Sequence, residues 1–310
     1  MTLFLGVDGG QSGTTAVIGD ETGRVLGTGE AGPCNHAGAA EGRAKLVRAV
    51  RGSLEAACAE AGLGTAVIFE AACFGMSGGP EDKQKILETI LRAERLVVTN
   101  DAVIALAGAT ASGQGIIAIG GTGTIAFGRN AAARTGRAGG WGYIFGDEGG
   151  GFDIARQALR AALRMEEGWG PPTSLREKLL EAAESHTANQ VLHRFYTADW
   201  PRARVATLAR HVDAAAVQGD ALAAEILRGA AQQLAMLAAA VRGQLWEPGE
   251  AIEVAYIGGV FESQLLLERF RMLVELEEGA HCVAPKHRPA EGALLEAYRL
   301  AGVSVELRYK

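Results

Sequence analysis

The chain has 310 residues and a formal net charge of −6, and 48% of its residues are hydrophobic while 21% are charged. This length and balance predict about two globular domains and exclude extended disorder. An acidic chain without a basic block also excludes nucleic-acid binding, because neutralising phosphates needs clustered Lys and Arg. The amino terminus lacks the features of a signal peptide, and no apolar run approaches the roughly 18 residues of a membrane span. We therefore expect a soluble, cytoplasmic protein with no membrane partner.

Glycine and cysteine are used selectively. Glycine accounts for 43 residues, about twice the usual share, and has no collagen-like period, so the glycines are expected at specific turns. The four cysteines, Cys34, Cys58, Cys73 and Cys282, lie far apart with no C-x-x-C pair. This spacing argues against a zinc site or a disulfide framework and favours buried, reduced thiols.

Apolar runs and helical spacing give the elements of the first part of the chain. The predicted elements are antiparallel strands at residues 3–7, 15–19 and 24–28, a helix at 46–61, a strand at 67–74, a helix at 86–91 and a strand at 96–99. The resulting order is β-β-β-α-β-α-β.

A similar order begins again at Gly115. The predicted elements are strands at 115–119 and 124–128, a helical block at 149–246 broken by a loop at 169–172, a strand at 252–257, a helix at 265–274, a strand at 282–283 and a helix at 290–301. This pattern indicates two copies of one α/β unit with a helical insertion in the second copy. Two such units facing each other would create a cleft.

Small polar residues at 111–114 interrupt the apolar pattern and mark the expected boundary between the copies. We predict an amino-terminal domain over residues 1–112, with the carboxyl-terminal helix at 290–310 packing back on it. The second domain is predicted over residues 113–289. The long apolar helix at 221–241 would suit a homodimer.

Two Gly/Thr turns occupy matching places in the two copies, at residues 9–14 and 121–124. A glycine turn between paired strands exposes consecutive backbone N–H groups, which suits phosphate oxygens. The alternative is a tight hairpin in which glycine only provides a positive φ. Neither turn fits a P-loop or a dinucleotide fingerprint. Their repetition favours phosphate binding.

Two aspartates follow predicted strands. Asp8 lies beside the first turn, where it would hold Mg²⁺ between itself and phosphates, or would cap the turn with its side chain. Asp101 follows the strand at 96–99 and begins a helical run. It is a candidate general base for a hydroxyl that attacks phosphate, with N-capping of the helix as the alternative.

A glycine-dense loop at residues 139–151 carries aromatic residues and adjacent acids just before a predicted helix. Such a loop would present carboxylates to a polyhydroxylated ligand. The alternative is a flexible loop whose acids favour the start of the helix. Its position after the second turn favours the ligand.

Five motifs occur in one order over nearly the whole chain. They are Gly6-Val7-Asp8-Gly9-Gly10-Gln11-Ser12-Gly13-Thr14-Thr15, Asn100-Asp101-Ala102, Gly121-Thr122-Gly123-Thr124, Gly140-Trp141-Gly142 with Gly146-Asp147-Glu148-Gly149, and Ile257-Gly258-Gly259-Val260-Phe261. In this order they resemble the BadF/BadG/BcrA/BcrD-type ATPases, and within them most of all the N-acetylglucosamine kinases of the sugar kinase, heat-shock chaperone and actin superfamily. The second turn departs from the Gly-Thr-Gly-Ser-Asn common in these kinases, since Thr124 and Ile125 follow Gly123.

The resemblance implies an α/β fold of duplicated ribonuclease H-like (actin-like ATPase) domains with a central cleft, and ATP and Mg²⁺ as cofactors. It implies phosphate contacts from Gly9, Gly10, Gln11, Ser12, Gly13, Thr14, Gly121, Thr122, Gly123 and Thr124. It places adenosine against Gly258, Gly259 and Val260, the metal near Asp8, and the catalytic base at Asp101. Sugar contacts are expected from Asn35, His36, Ser77, Gly78, Asn100, Gly140, Gly142 and Asp147.

The function expected from the sequence is an ATP-dependent kinase that phosphorylates the 6-OH of an amino sugar such as N-acetylglucosamine or glucosamine. One alternative is an ATPase that activates a 2-hydroxyacyl-CoA dehydratase or benzoyl-CoA reductase system through a [4Fe-4S] cluster, which needs cysteine thiolates. Another is a nucleotide or sugar sensor without catalysis. The fold alone does not decide among them.

Overall fold

The computed structural model describes residues 1–10, 13–34, 40–64, 66–76 and 81–309, without the side chains of residues 40, 41, 81 and 82. Its strands are β1 (Leu3–Gly9), β2 (Thr14–Asp20), β3 (Val25–Ala31), β4 (Ile68–Met76), β5 (Arg92–Thr99), β6 (Gly115–Gly120), β7 (Thr124–Arg129), β8 (Thr135–Gly139), β9 (Ile252–Ile257) and β10 (Ala280–Val283).

The helices of the first part of the chain and of the insertion are α1 (Ala40–Glu60), α2 (Glu81–Leu87), α3 (Asp101–Thr110), α4 (Gly151–Glu166), α5 (Leu175–Ala182), α6 (Ala188–Arg194), α7 (Arg202–Ala206), α8 (Ala209–Val217) and α9 (Ala221–Leu245). They are followed by a 3-10 helix at Gly259–Glu262, α10 (Gln264–Glu275) and α11 (Pro289–Leu300). None of the helices in the described part of the chain is long and apolar enough to cross a membrane.

The chain forms two compact units. The first consists of Met1–Gln114 together with Ala284–Lys310, and the second of Gly115–Val283. The chain thus passes into the second unit and returns, so that α11 belongs to the first.

The sheet of the first unit has the strand order β3-β2-β1-β4-β5. Strands β1, β2 and β3 are antiparallel neighbours, whereas β1, β4 and β5 run parallel. Strand β1 is central and covered on both faces, which explains its nearly continuous apolar sequence. Alternate residues face opposite sides, so Leu5 joins one core and Phe4 the other.

Helices cover both faces of this sheet. Leu46 and Val50 of α1 pack in the core that contains Leu5. On the other face, α11 packs against β1 and α3, and the rings of Phe4 and Tyr298 lie 4.3 Å apart. The Tyr298 hydroxyl donates to the carbonyl oxygen of Asp20 at 2.6 Å. The carboxyl-terminal helix therefore completes the first core.

The terminal helix α11 ends at Leu300, which agrees with the element predicted at 290–301, whereas the longer span of 290–310 assigned to it with the domains is helical only in its first part. Beyond it, Arg308 forms an isolated parallel bridge with Arg24, just before β3. The helix predicted at 86–91 also differs, since α2 ends at Leu87 and β5 already begins at Arg92.

The second unit repeats the topology of the first. Its sheet has the order β10-β9-β6-β7-β8, in which β6, β7 and β8 are antiparallel neighbours and β6, β9 and β10 run parallel. The repeated order confirms the predicted duplicated fold. Strand β8 was not predicted, because its sequence Thr-Gly-Arg-Ala-Gly is partly exposed and carries no apolar alternation.

The helical insertion of the second unit runs from α4 to α9 between β8 and β9. The predicted loop at 169–172 is confirmed between α4 and α5. Helix α9 begins at the N-cap Asp220, whose carboxylate accepts from the N–H groups of Leu222 and Ala223 at 3.0 Å. Alanine and leucine residues of α4, α8 and α9 share one core with the sheet, so the insertion is an integral part of the unit.

Candidate functional site

The parallel strands of the first unit bring two carboxylates to one edge of the sheet. Asp8 lies opposite Gly75 of β4, and Gly75 lies opposite Thr99 of β5. Asp101 follows Thr99 by two residues, at the start of α3. Ligands in α/β sheets bind at the carboxyl ends of the strands, and both predicted acidic residues are at that end.

Asp8 is partly buried, and its carboxylate makes no hydrogen bond within the described residues. Burial, and secondly the nearby Asp101 carboxylate, raise the pKa of Asp8 from 3.8 to about 6. The turn that Asp8 would cap includes Gln11 and Ser12, which lie outside the described residues. Both causes of the raised pKa of Asp8, burial and a neighbouring carboxylate, would be relieved by a cation beside it.

Asp101 is exposed, and the residue that caps α3 is its neighbour Asn100. The Asn100 side-chain oxygen accepts from the N–H of Val103 at 3.0 Å. Capping, the alternative interpretation of Asp101, is therefore carried out by Asn100, and the Asp101 carboxylate stays available at the strand edge. Asn100, expected to contact sugar, has one side-chain atom engaged in this cap.

The first glycine turn is closed by a bond from the Gly10 N–H to the Gly13 carbonyl at 2.9 Å. Gly9 lies so close to the sulfur atoms of Met76 and Cys34 that a Cβ would fall 2.5 Å and 2.7 Å from them. The Thr14 hydroxyl donates to the Gly32 carbonyl at 3.0 Å, so this buried side chain holds the turn.

A backbone hydrogen bond also closes the second turn: the Gly121 N–H donates to the Gly123 carbonyl at 3.0 Å. The Thr124 hydroxyl donates to the Glu148 carbonyl at 3.1 Å. Within the described residues, the N–H groups of Thr122 and Gly123 donate to no protein acceptor. Two consecutive N–H groups without a protein acceptor are the kind of donors that a phosphate-binding nest uses.

Asp147 lies directly behind this second turn. Its carboxylate accepts from the Thr124 N–H at 3.3 Å and lies 4.0 Å from the Arg202 guanidinium. It is buried, at 9% exposure, and occupies the space where a Cβ of Gly123 would stand. In these contacts Asp147, an expected sugar ligand, supports the second turn.

Gly140 and Gly142, also expected at the sugar site, shape the loop that leads to Asp147. The Gly140 N–H donates to the Thr124 carbonyl at 2.9 Å, and the Gly142 carbonyl accepts from Phe145 at 3.2 Å. The loop exposes Trp141 and Phe145 at 66% and 82%, so its aromatic residues lie on the surface.

The Gly258-Gly259-Val260 motif follows β9 and meets the second turn. Gly258 has a φ of +112°, and a Cβ there would overlap the carbonyl oxygen of Gly120. Only glycine accommodates both this positive φ and the close approach of the Gly120 carbonyl oxygen. The two turns therefore lie side by side at the carboxyl ends of β6 and β9, which are parallel neighbours.

A cavity of about 560 Å³ opens beside these turns. Gly121, Thr122, Gly259 and Val260 line it, as do helical residues that include Arg210, Asp213 and Glu262. The Ser263 hydroxyl donates to the Asp213 carboxylate at 2.5 Å and ties the insertion to α10. The cavity has the size and the polar donors of a small-ligand site.

Sequence reasoning found Gly259 and Val260 of the 3-10 helix but missed Glu262 and the cavity residues of α7 and α8. No motif marks them, because they lie in a helical block whose spacing only indicates a buried face. Six predicted site residues, Gln11, Ser12, Asn35, His36, Ser77 and Gly78, lie outside the described residues. The remaining predicted residues fall into two groups. One is the edge with Asp8, Asn100 and Asp101 and the first turn, and the other is the second turn with the Gly258 motif and the loop of Gly140, Gly142 and Asp147.

A repeated five-stranded order with a glycine turn after the first strand of each unit defines an actin-like ATPase fold. The family model for the BadF/BadG/BcrA/BcrD ATPase family matches residues 5–297. The chain belongs to this family, as its motifs indicated.

Two curated relatives are kinases. An N-acetylmuramic acid/N-acetylglucosamine kinase of Clostridium acetobutylicum is 33% identical over 234 residues, which covers 73% of this chain and 76% of the relative. An N-acetyl-D-glucosamine kinase of Dictyostelium discoideum is 29% identical over 319 residues, covering 95% and 97%.

Solved structures share the fold. A candidate N-acetylglucosamine kinase from Chromobacterium violaceum has a TM-score of 0.76 and 28% identity, covering 97% of this chain and 99% of that one. A ROK family glucokinase from Streptomyces griseus, solved with glucose and AMPPNP, has a TM-score of 0.59 and 21% identity, covering 95% and 98%. At that identity the glucokinase supports the fold alone.

Proposed function

We propose that this protein is an ATP-dependent amino-sugar kinase that transfers the γ-phosphoryl group to the 6-OH of a sugar such as N-acetylglucosamine or glucosamine. The observation that carries the proposal is the position of the Asp101 carboxylate. It does not cap α3, and it lies near Asp8 at the carboxyl ends of the parallel strands β1, β4 and β5. Membership of the ATPase family and the two kinase relatives support the ATP-dependent phosphotransfer.

The second unit would bind the nucleotide. The free N–H groups of Thr122 and Gly123 would donate to phosphate oxygens, and adenosine would lie against Gly258, Gly259 and Val260. Because the Thr124 hydroxyl is engaged with Glu148, its role would be to hold the turn. In the first turn the Gly10 N–H already donates to the Gly13 carbonyl, so the remaining N–H groups of that turn would be the phosphate donors.

The donor set around Asp8 fits Mg²⁺. No group of three or more metal-binding side chains occurs among the residues described, and Mg²⁺ characteristically uses one or two carboxylates together with substrate phosphates and waters. A buried carboxylate with a raised pKa and no hydrogen-bond donor gains most from such a cation. Mg²⁺ there would neutralise phosphate charge, with Asp8 as its protein ligand.

Asp101 would act as the general base. Its carboxylate would accept the proton of the sugar hydroxyl as the hydroxyl oxygen attacks the γ-phosphorus. The bond from that phosphorus to the bridging oxygen breaks, and ADP leaves with the electron pair. The protein would supply position and charge stabilisation, as is usual for phosphoryl transfer.

The iron–sulfur alternative requires accessible thiolates. All four cysteines are buried, and burial raises the pKa of Cys34, Cys58 and Cys282 above the usual thiol range. Cys34 lies in the core beside Met76, and Cys73 packs on the opposite face of the sheet. These observations favour the kinase.

The proposal is tested by measuring ADP release with N-acetylglucosamine, glucosamine, N-acetylmuramic acid and glucose. We expect turnover with at least one amino sugar at a kcat/KM at least tenfold above glucose. The phosphate position is read from ³¹P–¹H correlation spectra of the product, and the 6-deoxy analogue should give no ADP release. Binding of ATP without turnover of any sugar would support the non-catalytic sensor, and phosphate on another hydroxyl would refute the 6-OH assignment.

A further inference from the structure

Arg202 begins α7 and lies beside the second turn. Its Nη1 is 4.0 Å from Asp147 Oδ2, and the same oxygen would stand 2.4 Å from a Cβ of Gly123. One carboxylate therefore separates the guanidinium from the N–H groups that are the proposed phosphate donors of this turn.

Helix α7 borders the cavity beside that turn. Ala203 and Ala206 line the cavity together with Thr122. Arg202 precedes Ala206 by one helical turn, so both lie on the same side of the helix. A Cβ of Gly151 would come within 3.0 Å of the Ala206 carbonyl oxygen, so α7 also packs on the first residue of α4. Arg202 is thus at the rim of the proposed nucleotide site.

The Arg202 guanidinium is positioned without the use of its hydrogen-bond donors. Its Cζ lies 4.7 Å from the centroid of the Tyr143 ring, which is a cation–π contact. The Asp147 oxygen at 4.0 Å is beyond hydrogen-bond distance. Within the part of the chain that the structure describes, none of the guanidinium N–H groups has an acceptor, and the side chain is 48% exposed. Such a planar set of unused donors suits phosphate oxygens.

The charge of Asp147 explains why a cation is needed at this place. Its carboxylate accepts from the Thr124 N–H at 3.3 Å, which holds the negative charge against the turn. A phosphate bound to the turn would be repelled by that charge, because the buried carboxylate is poorly screened by water. Arg202 is an ion-pair partner of Asp147. Its positive charge therefore offsets the carboxylate, while its N–H groups remain available to phosphate.

The neighbours of the second turn set the direction of a bound nucleotide. A Cβ of Gly258 would overlap the Gly120 carbonyl oxygen at the end of β6, whereas Asp147 fills the space beside Gly123, just before β7. Adenosine at Gly258 would therefore leave the terminal phosphate to extend across the turn toward Arg202. From these positions we infer that Arg202 binds the γ-phosphoryl oxygens of the nucleotide and is a further catalytic residue. This inference rests on the proposed function.

The position of Arg202 also fits the transfer step. Tyr143, on which the guanidinium stacks, belongs to the loop with Gly140 and Gly142, where sugar is expected. As the γ-phosphoryl group moves from ADP to the sugar hydroxyl, negative charge is spread over its oxygens. The N–H groups of Arg202 would stabilise this charge. The guanidinium exchanges no proton and no electron pair in the step.

The test is isothermal titration calorimetry of the full chain with AMPPNP, a non-hydrolysable ATP analogue, and with ADP, each in the presence of Mg²⁺. Arg202→Gln should weaken AMPPNP binding at least about tenfold, because a charge-assisted hydrogen bond to the γ-phosphate is lost, and should change the Kd for ADP less than about twofold. Arg202→Lys keeps the charge and should recover part of the AMPPNP affinity. Arg160→Gln, at an exposed position of α4, is the matched control and should bind both nucleotides as the wild type does.

The same variants are compared in ADP release with the sugar that the wild type uses best. Arg202→Gln should lower kcat at least about tenfold and change the KM for the sugar less than about twofold, because the contact is made to the group in transfer. Thermal unfolding of Arg202→Gln should match that of the wild type, since the side chain is half-exposed and makes no hydrogen bond among the described residues.

Two results would overturn the inference and leave the proposed function in place. Equal weakening of AMPPNP and ADP binding in Arg202→Gln would mean that Arg202 only supports the turn. Unchanged binding of both nucleotides would remove the γ-phosphate contact, and a selective loss of N-acetylmuramic acid binding in the same variant would assign the guanidinium to a sugar carboxylate instead. A wild type that binds neither nucleotide would overturn the proposed function together with the inference.

Discussion

The two units share one strand order and one kind of glycine turn, but they place different chemistry beside it. In the first unit the strand edge carries the carboxylates of Asp8 and Asp101, and the turn packs on sulfur atoms. In the second unit the edge carries free N–H groups and a cavity, and the turn is supported by Asp147. A duplicated fold thus offers two equivalent edges, and their side chains are the basis on which we propose a cation and a base at one edge and phosphate and adenosine at the other.

The first and largest effect is expected at the carboxylate edge. Replacing Asp101 by Asn should lower kcat about 10³-fold, since a general base contributes roughly 10²–10⁴, while the Kd for ATP changes less than about twofold. Steady-state ADP release and calorimetry measure the two quantities. Glu94→Gln, an exposed acid of β5, is the matched control. If Asp101→Asn keeps a near-normal kcat, Asp101 is not the general base and the assignment is refuted.

Asp8→Asn, at the same strand edge, is expected to raise the stability of the metal-free protein and to lower its activity. The folded pKa of about 6 lies above the unfolded value near 3.8, so the ionised carboxylate destabilises the metal-free fold. This loss of unfolding free energy is absent below about pH 4, grows as the pH rises to about 6, and is complete above that pH. The rise of the pKa from 3.8 to about 6 corresponds to a loss of at most roughly 3 kcal/mol of unfolding free energy.

We therefore expect Asp8→Asn in EDTA at pH 7.5 to unfold at higher denaturant concentration than the wild type, and the gain to shrink as the pH falls toward 4. The same variant should lose its response of ATP turnover to Mg²⁺. Urea unfolding at several pH values and a magnesium titration measure both effects. A variant less stable at pH 7.5 that keeps its magnesium response would contradict the assigned role.

Gly258→Ala tests how closely the second unit joins its two turns. A positive φ of 112° and overlap with the Gly120 carbonyl should cost about 2 kcal/mol of unfolding free energy, and the Km for ATP should rise. Gly259→Ala meets nothing within 4 Å and serves as the control. Equal stability of the two variants would show that the turns are not held together at Gly258.

A comparison of Gly123→Ala with Gly10→Ala tests how differently the two glycine turns are supported. A methyl group at Gly123 would meet the Asp147 carboxylate, whereas one at Gly10 would find its nearest atom at 3.5 Å, an ordinary contact. We expect Gly123→Ala to lose about 1 kcal/mol, the value of a displaced hydrogen bond, and Gly10→Ala to stay within about 0.5 kcal/mol. Thermal unfolding of both proteins decides, and equal losses would mean that Asp147 does not support the second turn.

The sequence by itself determined the order of strands and helices, the duplication, and the position of glycine turns and aspartates at strand ends. These features are local, because apolar runs and glycines act on the backbone within a few residues. Strand β8 was missed because its residues carry no such local pattern, and the end of α2 depends on packing that a short window does not contain.

Only the tertiary structure decided what each polar side chain does. It assigned the cap of α3 to Asn100 and so freed Asp101, and it turned the Thr14 and Thr124 hydroxyls toward backbone carbonyls. It also brought Asp213 to the cavity beside the second turn and, among the described residues, left the buried Nη1 of Arg242 without an acceptor. The physical reason is that hydrogen bonds and burial join residues far apart in the chain, and their partners are fixed only when the strands and the insertion have packed.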